Sequence, residues 1–508
     1  MRSLRLTNFR SFADTGRNEL APITILVGSN SSGKSSYLRF FPLLRQTAEK
    51  PTRSPLLWFG DLVDFGEFEK AARKGNSSLS FEFDLTIPAV TRQGTFRRQG
   101  VEDIDVSVSV TMASNEGQTY VSTLQIRCGE DLCRLAFGNA GDIIEFVSND
   151  IDILPLAKQM PWRVLMTPFV PLLGLEFDPR VDMRHTSIKR ALAEYFRSFA
   201  HNRTKDITLL GFANYLTYGR PESMLGTVKR FDLRHLQDPS AAPGPFRHIR
   251  SLVLAKDIGE ILGQIQGALA SFAAGITYLG PFRRDPSRFY RQQELSVEQI
   301  EPHGENLAMF LRSLDKHQIA DLSAFVKEYL GFSVSVDKDG NHIAIVVGDG
   351  TSEEHNLIDM GYGISQVLPV IAQCWITAQA IRTSIRNPTA TVLAIEQPEL
   401  HLHPSHQARL ADMFSAVLSR IRSRYLPAQR RILSGIEPEF GLRMLIETHS
   451  EAMVNRFGEL IETGILQASD VKVLLFEKDS KTGISSIREA TYSDDGTLAN
   501  WPIGFFAP

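Results

Sequence analysis

The octapeptide Gly28-Ser29-Asn30-Ser31-Ser32-Gly33-Lys34-Ser35 constrains this chain more than any other part of it. Its glycines let the backbone curl so that successive amides point inward, which is how a peptide loop cradles phosphate oxygens. Lys34 supplies a point charge to terminal phosphates, and a serine at position 35 offers its hydroxyl to Mg2+. The flanks agree. Pro22 to Val27 is a short, apolar, β-branched run, the texture of a buried parallel strand. Tyr37, Leu38, Phe41 and Leu44 then follow helical spacing. A helix starting there aims its positive end at the same anion. Strand, glycine-rich loop and helix in this order predict an α/β fold. Gly28, Asn30, Ser31, Ser32, Gly33, Lys34, Ser35 and Ser36 are its expected phosphate contacts.

The second half of the chain carries the partners such a loop needs. Thr391 to Glu396 is an apolar strand ending in a carboxylate, and a carboxylate beside a phosphate loop can hold Mg2+, usually through water. Gln397-Pro398-Glu399 and Leu400-His401-Leu402-His403-Pro404 follow. His401, His403 and His406 invite a zinc reading, but Pro398 and Pro404 bracket a loop and no cysteine is near. Glu447-Thr448-His449-Ser450 follows the strand Met444 to Ile446, and a histidine at a strand tip can hydrogen-bond a γ-phosphate. Gly361-Tyr362-Gly363-Ile364-Ser365-Gln366 precedes an apolar helix over Val367 to Ile381, with Pro369 tolerated in its first turn. Ser365 at that helix start predicts a second anion-binding end. Two such ends in one chain imply that two chains share each nucleotide. Arg283 and Arg284 lie just past a strand at Tyr278-Leu279, where they could meet phosphate, a partner or only solvent.

Between these motifs the texture changes. Leu4, Leu6 and Phe9 alternate with polar residues, as in an edge strand. Phe81 to Leu85, Asp105 to Val110 and Val121 to Ile126 repeat a period-two pattern, with turn residues Ser114 to Gly117 between them, which predicts an antiparallel unit. Ile151 to Ala274 turns helical, and Ile258, Ile261, Leu262, Ile265, Leu269 and Phe272 form one apolar stripe suited to core packing. Beyond it, Leu307 to Leu330 reads as a helix and Ile343 to Val347 as a strand. The expected domains are 1–78 and 275–508 as one discontinuous core, a β insert at 79–150 and a mainly helical insert at 151–274.

Composition enters as exclusion. The 508 residues carry 55 basic and 58 acidic side chains, a net charge of −3, so no global field draws in nucleic acid. The basic residues are 15 Lys and 40 Arg, an excess of the type that grips phosphate in bidentate fashion. The three cysteines, Cys128, Cys133 and Cys374, have neither zinc-knuckle nor redox-pair spacing and suit a reducing compartment. No stretch reads as a signal core or a bilayer span, so the expected location is cytoplasmic.

Taken in order, these motifs resemble the ABC-type ATPases of the recombination and repair class, which include the RecF, SMC and overcoming-lysogenisation-defect proteins. Leu4 to Phe12 is similar to their first strand, Glu396 to Pro404 to their Walker B and D-loop segment, Gly361 to Gln366 to a degenerate signature, and His449 to their switch histidine. Trp501 to Phe506 resembles the tail of a bacterial AAA-like subgroup found in anti-phage systems of the Septu and PARIS type. The resemblance implies a P-loop ABC-type head, a mixed β-sheet with flanking helices and an inserted β-then-α region. It implies ATP and Mg2+ as cofactors and a homodimer or higher oligomer with ATP sandwiched between chains. Lys34 and Ser35 of one chain would face Gly363, Ser365 and Gln366 of the other. Glu396 would assist Mg2+ and His449 the γ-phosphate. One departure matters: the general-base position holds Gln397, whose amide can orient water but not take its proton. Glu399 is the nearest replacement, and slow hydrolysis is expected.

The layout lacks the long coiled coil of the SMC type. With 59 residues after His449, no nuclease domain of the overcoming-lysogenisation-defect type is expected. With the tail resemblance, this layout implies an ATPase sensor or regulatory subunit of a bacterial anti-phage defence system that controls a separate effector, a nuclease or toxin. The alternatives are a RecF-like ATPase that binds duplex DNA and a nucleotide-locked scaffold without significant turnover.

Overall fold

The computed structural model describes residues 1–90, 103–175, 186–231, 243–292, 297–348, 353–380, 391–430 and 441–502. Ile381 and the tail residues Ile503 to Phe506 lie outside them. The described chain divides into two compact units, Met1–Glu19 with Gln46–Ser271, and Leu20–Arg45 with Phe272–Pro508.

The site of the second unit rests on the strands β1 (Ile23–Gly28), β2 (Ile276–Leu279), β3 (Thr391–Glu396), β4 (Leu442–Glu447), β5 (Val471–Lys478) and β6 (Ser485–Tyr492). Their order is β6-β5-β1-β4-β3-β2. The five strands from β5 to β2 run parallel, and β6 pairs antiparallel with β5. The apolar run before the phosphate loop is thus a central strand with neighbours on both sides, and every residue of β1 is buried. A strand buried on both faces needs apolar residues throughout rather than alternation. On one face Ile25, Val27, Leu393, Ile395, Met444 and Ile446 join a core with helices α2 (Tyr362–Ala380), α3 (Pro404–Arg430) and α4 (Glu451–Glu462). On the other lies α1 (Lys34–Leu38), whose Tyr37 ring meets Phe476 of β5 edge-on at 5.7 Å. The expected mixed sheet with flanking helices is present.

The first unit holds the β-then-α region. Strands Ser78–Ile87, Ile104–Asn115, Gln118–Cys128, Asp131–Phe137 and Ile143–Ser148 pair antiparallel in succession. Glu116 and Gly117 take positive φ at the tight turn read from Ser114 to Gly117. The helices Ser187–Arg197, Asp206–Tyr215, Pro221–Lys229 and Pro243–Ala274 follow, and every member of the stripe from Ile258 to Phe272 is buried.

Three expectations need correction. The strand at Ser3–Phe9 is not an edge: it pairs with Ser78–Ile87 on one side and with Phe12–Asp14 on the other. The helix read over Leu307 to Leu330 is two, Leu307–Ser313 and Lys316–Leu330. Asp315 breaks it, accepting from the His317 and Gln318 amides while Gln318 returns a bond to the Asp315 amide, a capping box. Pro369 lies inside α2, not in its first turn, because that helix starts at Tyr362.

Candidate phosphate-loop site

The loop between β1 and α1 is shaped by close packing. A Cβ on Gly28 would stand 2.4 Å from the Phe476 carbonyl, so β1 can approach β5 there only as glycine. Ser31 and Gly33 take positive φ, which curls the chain back on itself. Lys34 is buried, and its ammonium donates to the Gly28 and Ser29 carbonyls, each at 2.9 Å. Burial lowers its pKa, against the pull of Glu447 and Glu399. Ser29, Asn30 and Ser31 are exposed, Ser32 is buried, and Ser35 and Ser36 lie between these extremes.

Two carboxylates stand side by side above this loop, because Glu396 and Glu447 are register partners at the ends of β3 and β4. Their surroundings differ. Glu396 Oε1 accepts from Arg39 Nε at 2.6 Å and from the Tyr278 hydroxyl at 2.7 Å, and Oε2 accepts from Arg39 at 2.8 Å. Glu447 Oε1 accepts from the Ser35 hydroxyl at 2.9 Å, and its buried Oε2 has no hydrogen-bond partner. Burial first, then the neighbouring Glu396 charge, pushes Glu447 up to about 7.

A third acid closes the group. Glu399 is buried in the turn after β3, and its Oε1 accepts from the His449 amide at 2.7 Å. Its Oε2 is buried and unpartnered, and burial raises its pKa. Gln397 has φ of 45° and donates its amide to the Glu447 carbonyl at 2.8 Å. His449 is exposed at the lip of a groove of about 790 Å3 lined by Gly28, Ser29, Thr448 and Phe476 among others. Partial withdrawal from water, then the Lys34 charge, lowers its pKa and favours the neutral ring.

The signature-like segment sits differently from its expected place. Ser365 is the fourth residue of α2, not its cap, and its hydroxyl donates to the Tyr362 carbonyl at 2.8 Å. Gln366 is buried, accepting from the Arg283 amide and donating to the Arg283 carbonyl, each at 3.2 Å. Gly363 packs on the turn after β3, where a Cβ would meet the His401 carbonyl at 2.5 Å. Arg283, which the sequence left open as a surface residue, is buried and donates to the Glu396 and Gln397 carbonyls at 2.9 and 3.2 Å. Burial lowers its pKa to about 10. Arg284 is exposed. The segment from Gln397 to His403 forms the turn into α3, with His401 and His403 exposed.

The structure therefore brings Lys34, Ser35, Glu396, Glu399 and His449 to one end of the parallel strands. Sequence reasoning missed Arg39, Tyr278 and Glu447 as members of this group. Only Glu447 had a signal: like Glu396, it is an acid closing an apolar β-run.

Residues 223–454 match the family model for the AAA ATPase domain, AAA_15. That segment includes Gly363 to Gln366, Glu396, Glu399 and His449. The phosphate loop lies before it. No curated protein matches the chain. Among solved structures, the chain is similar to the Smc head domain with an extended coiled coil bound to the C-terminal domain of ScpA from Pyrococcus furiosus. Identity is 12% over 96% of each chain, with a TM-score of 0.34. It is also similar to the SMC head domain from Thermotoga maritima, at 11% identity over 96% of this chain and 98% of that one, with a TM-score of 0.31. Both superpositions are loose.

Proposed function

We propose that this chain is a slow ATPase of the ABC type that works as a nucleotide-dependent switch on a separate effector protein. The observation that carries the ATPase reading is the loop itself: a complete phosphate-binding octapeptide on a buried central parallel strand, with Lys34 and Ser35 beneath two strand-end carboxylates. Lys34 would exchange its bonds to the Gly28 and Ser29 carbonyls for phosphate oxygens. His449, neutral at the groove's lip, would hydrogen-bond the γ-phosphate. Glu399 would accept the proton of the attacking water in place of Gln397, since its buried, unpartnered oxygen and raised pKa suit a base.

The donor set fits Mg2+. A serine hydroxyl and a buried carboxylate oxygen without a partner are hard ligands, and Mg2+ takes few protein ligands when phosphates and water complete its shell. When bound, that ion offsets the negative charge on the phosphates. The sequence pattern nominates Glu396 as its carboxylate, whereas the unpartnered oxygen beside Ser35 belongs to Glu447.

A homodimer sharing the nucleotide belongs to the same reading. Ser365 would have to release the Tyr362 carbonyl to reach a partner's phosphate. The surface beside it supports association: exposed Phe282, Phe289, Ile358 and Tyr362 lie on two segments pinned together by Arg288–Asp359 and Tyr362–Asp285. Control of a nuclease or toxin in anti-phage defence rests on the resemblance of the motifs and the tail. The DNA-binding alternative gains nothing from Arg283, which is spent on main-chain carbonyls.

Phosphate release from ATP by the purified chain tests the enzyme. We expect Mg2+-dependent turnover at or below about 1 per second, the slow end of enzyme rates, and its loss in Lys34→Ala. Release indifferent to Lys34→Ala would overturn the assignment. Native mass measurement of the tagged protein from its host, with ATP and with Lys34→Ala, tests the rest. A monomer without a partner, together with unchanged phage sensitivity on deletion, would remove both the dimer and the effector.

A further inference from the structure

We infer that Glu447, not Glu396, is the carboxylate that holds the divalent cation at the phosphate loop, and that Arg39 and Tyr278 hold Glu396 away from the metal. The inference rests on the nucleotide-binding reading of the loop and specifies its metal site. The two acids are register partners at neighbouring strand ends, so sequence position alone favours neither.

Their partners distinguish them. Both oxygens of Glu396 are engaged, by a bidentate Arg39 and by the Tyr278 hydroxyl. The guanidinium offsets its charge in place, and a cation would have to displace that fork. Glu447 is also buried, and although the Lys34 and Arg39 charges act on it from a distance, no guanidinium or ammonium among the described residues lies within ion-pair distance of it; its one side-chain hydrogen bond is from Ser35. The oxygen it leaves unpartnered is a costly group in a folded interior unless something satisfies it. A cation beside the Ser35 hydroxyl would take that oxygen and the serine lone pairs together. Tyr278 and Arg39 then have a role of their own: they lock Glu396 so that the second acid is the one that meets the ion.

The test separates metal binding from turnover. Affinity for a fluorescent ATP analogue is measured in EDTA and at rising Mg2+, and bound Mn2+ is followed by electron paramagnetic resonance in the presence of non-hydrolysable ATP. Wild type, Glu447→Gln, Glu447→Asp and Glu396→Gln are compared, with thermal melts confirming that each is folded. For Glu447→Gln we expect Mn2+ affinity to fall by at least about tenfold, since loss of even an outer partner of a metal ligand costs about 10–100-fold. The gain in nucleotide affinity on adding Mg2+ falls with it. Glu447→Asp, which keeps the charge, recovers part of both. In Glu396→Gln the gain in nucleotide affinity on adding Mg2+ persists and falls less than in Glu447→Gln. The reverse pattern, loss in Glu396→Gln and retention in Glu447→Gln, overturns the assignment while leaving nucleotide binding intact. Wild type that binds no nucleotide in either condition overturns the loop reading itself and the assignment with it.

Discussion

At the scale of single residues, identical chemistry diverges by partner. Glu396 and Glu447 are the same side chain at the same height on adjacent strands, yet one is bound by Arg39 and Tyr278 and the other by a serine hydroxyl. Removing Arg39 leaves the buried Glu396 carboxylate with the tyrosine alone. Arg39→Ala is expected to cost about 2 kcal/mol, less than for a wholly buried pair because the arginine is partly exposed. Much of that loss should return in Arg39→Ala/Glu396→Gln, which removes the unpaired charge. Urea denaturation of the single and double variants checks this. A single-variant loss below about 0.5 kcal/mol, the level of an exposed ion pair, would mean that water already satisfies Glu396. The acid at position 396 was legible in the sequence; its arginine was not. Arg39 is separated from it by 357 positions, and only the fold closes that distance.

At the scale of elements, the central strands were legible and the start of α2 was not. β1, β3 and β4 announce themselves as apolar runs, because a central parallel strand has no solvent face to mark with polar residues. The start of α2 was misplaced, since Gly361 and Gly363 resemble loop residues. In the structure Gly363 is helical and is glycine because the His401 carbonyl lies against it. Gly363→Ala is therefore expected to destabilise the protein by about 1–3 kcal/mol, the cost of overpacking against backbone, although alanine is the better helix former. A melting temperature unchanged or raised in Gly363→Ala would contradict that contact. Gln366→Ala should also destabilise, by about 1–3 kcal/mol, because it leaves the buried Arg283 main-chain groups without their partner.

At the scale of the whole molecule, each unit buries its chemistry. All three cysteines are free and buried, Cys128 and Cys133 in the first unit and Cys374 in α2. Burial pushes the Cys128 thiol up to about 12 and raises the other two as well. None forms thiolate at neutral pH, so a maleimide should label none of the three in the native protein and all three in denaturant, counted by intact mass. Rapid labelling of any one in the native state would show that its unit opens. No helix among the described residues is long and apolar enough to cross a membrane.

The sequence alone determined the phosphate loop, the β-then-α region and the order of strand-end acids, because these follow from local periodicity and from residue types a short loop requires. What it left undecided was which acid is already satisfied. Tertiary structure settled that by bringing Arg39 and Tyr278 to Glu396, Ser35 to Glu447 and the His449 amide to Glu399. The physical reason is that a buried carboxylate's state depends on the donors within about 3 Å of it, and those donors come from segments remote in sequence.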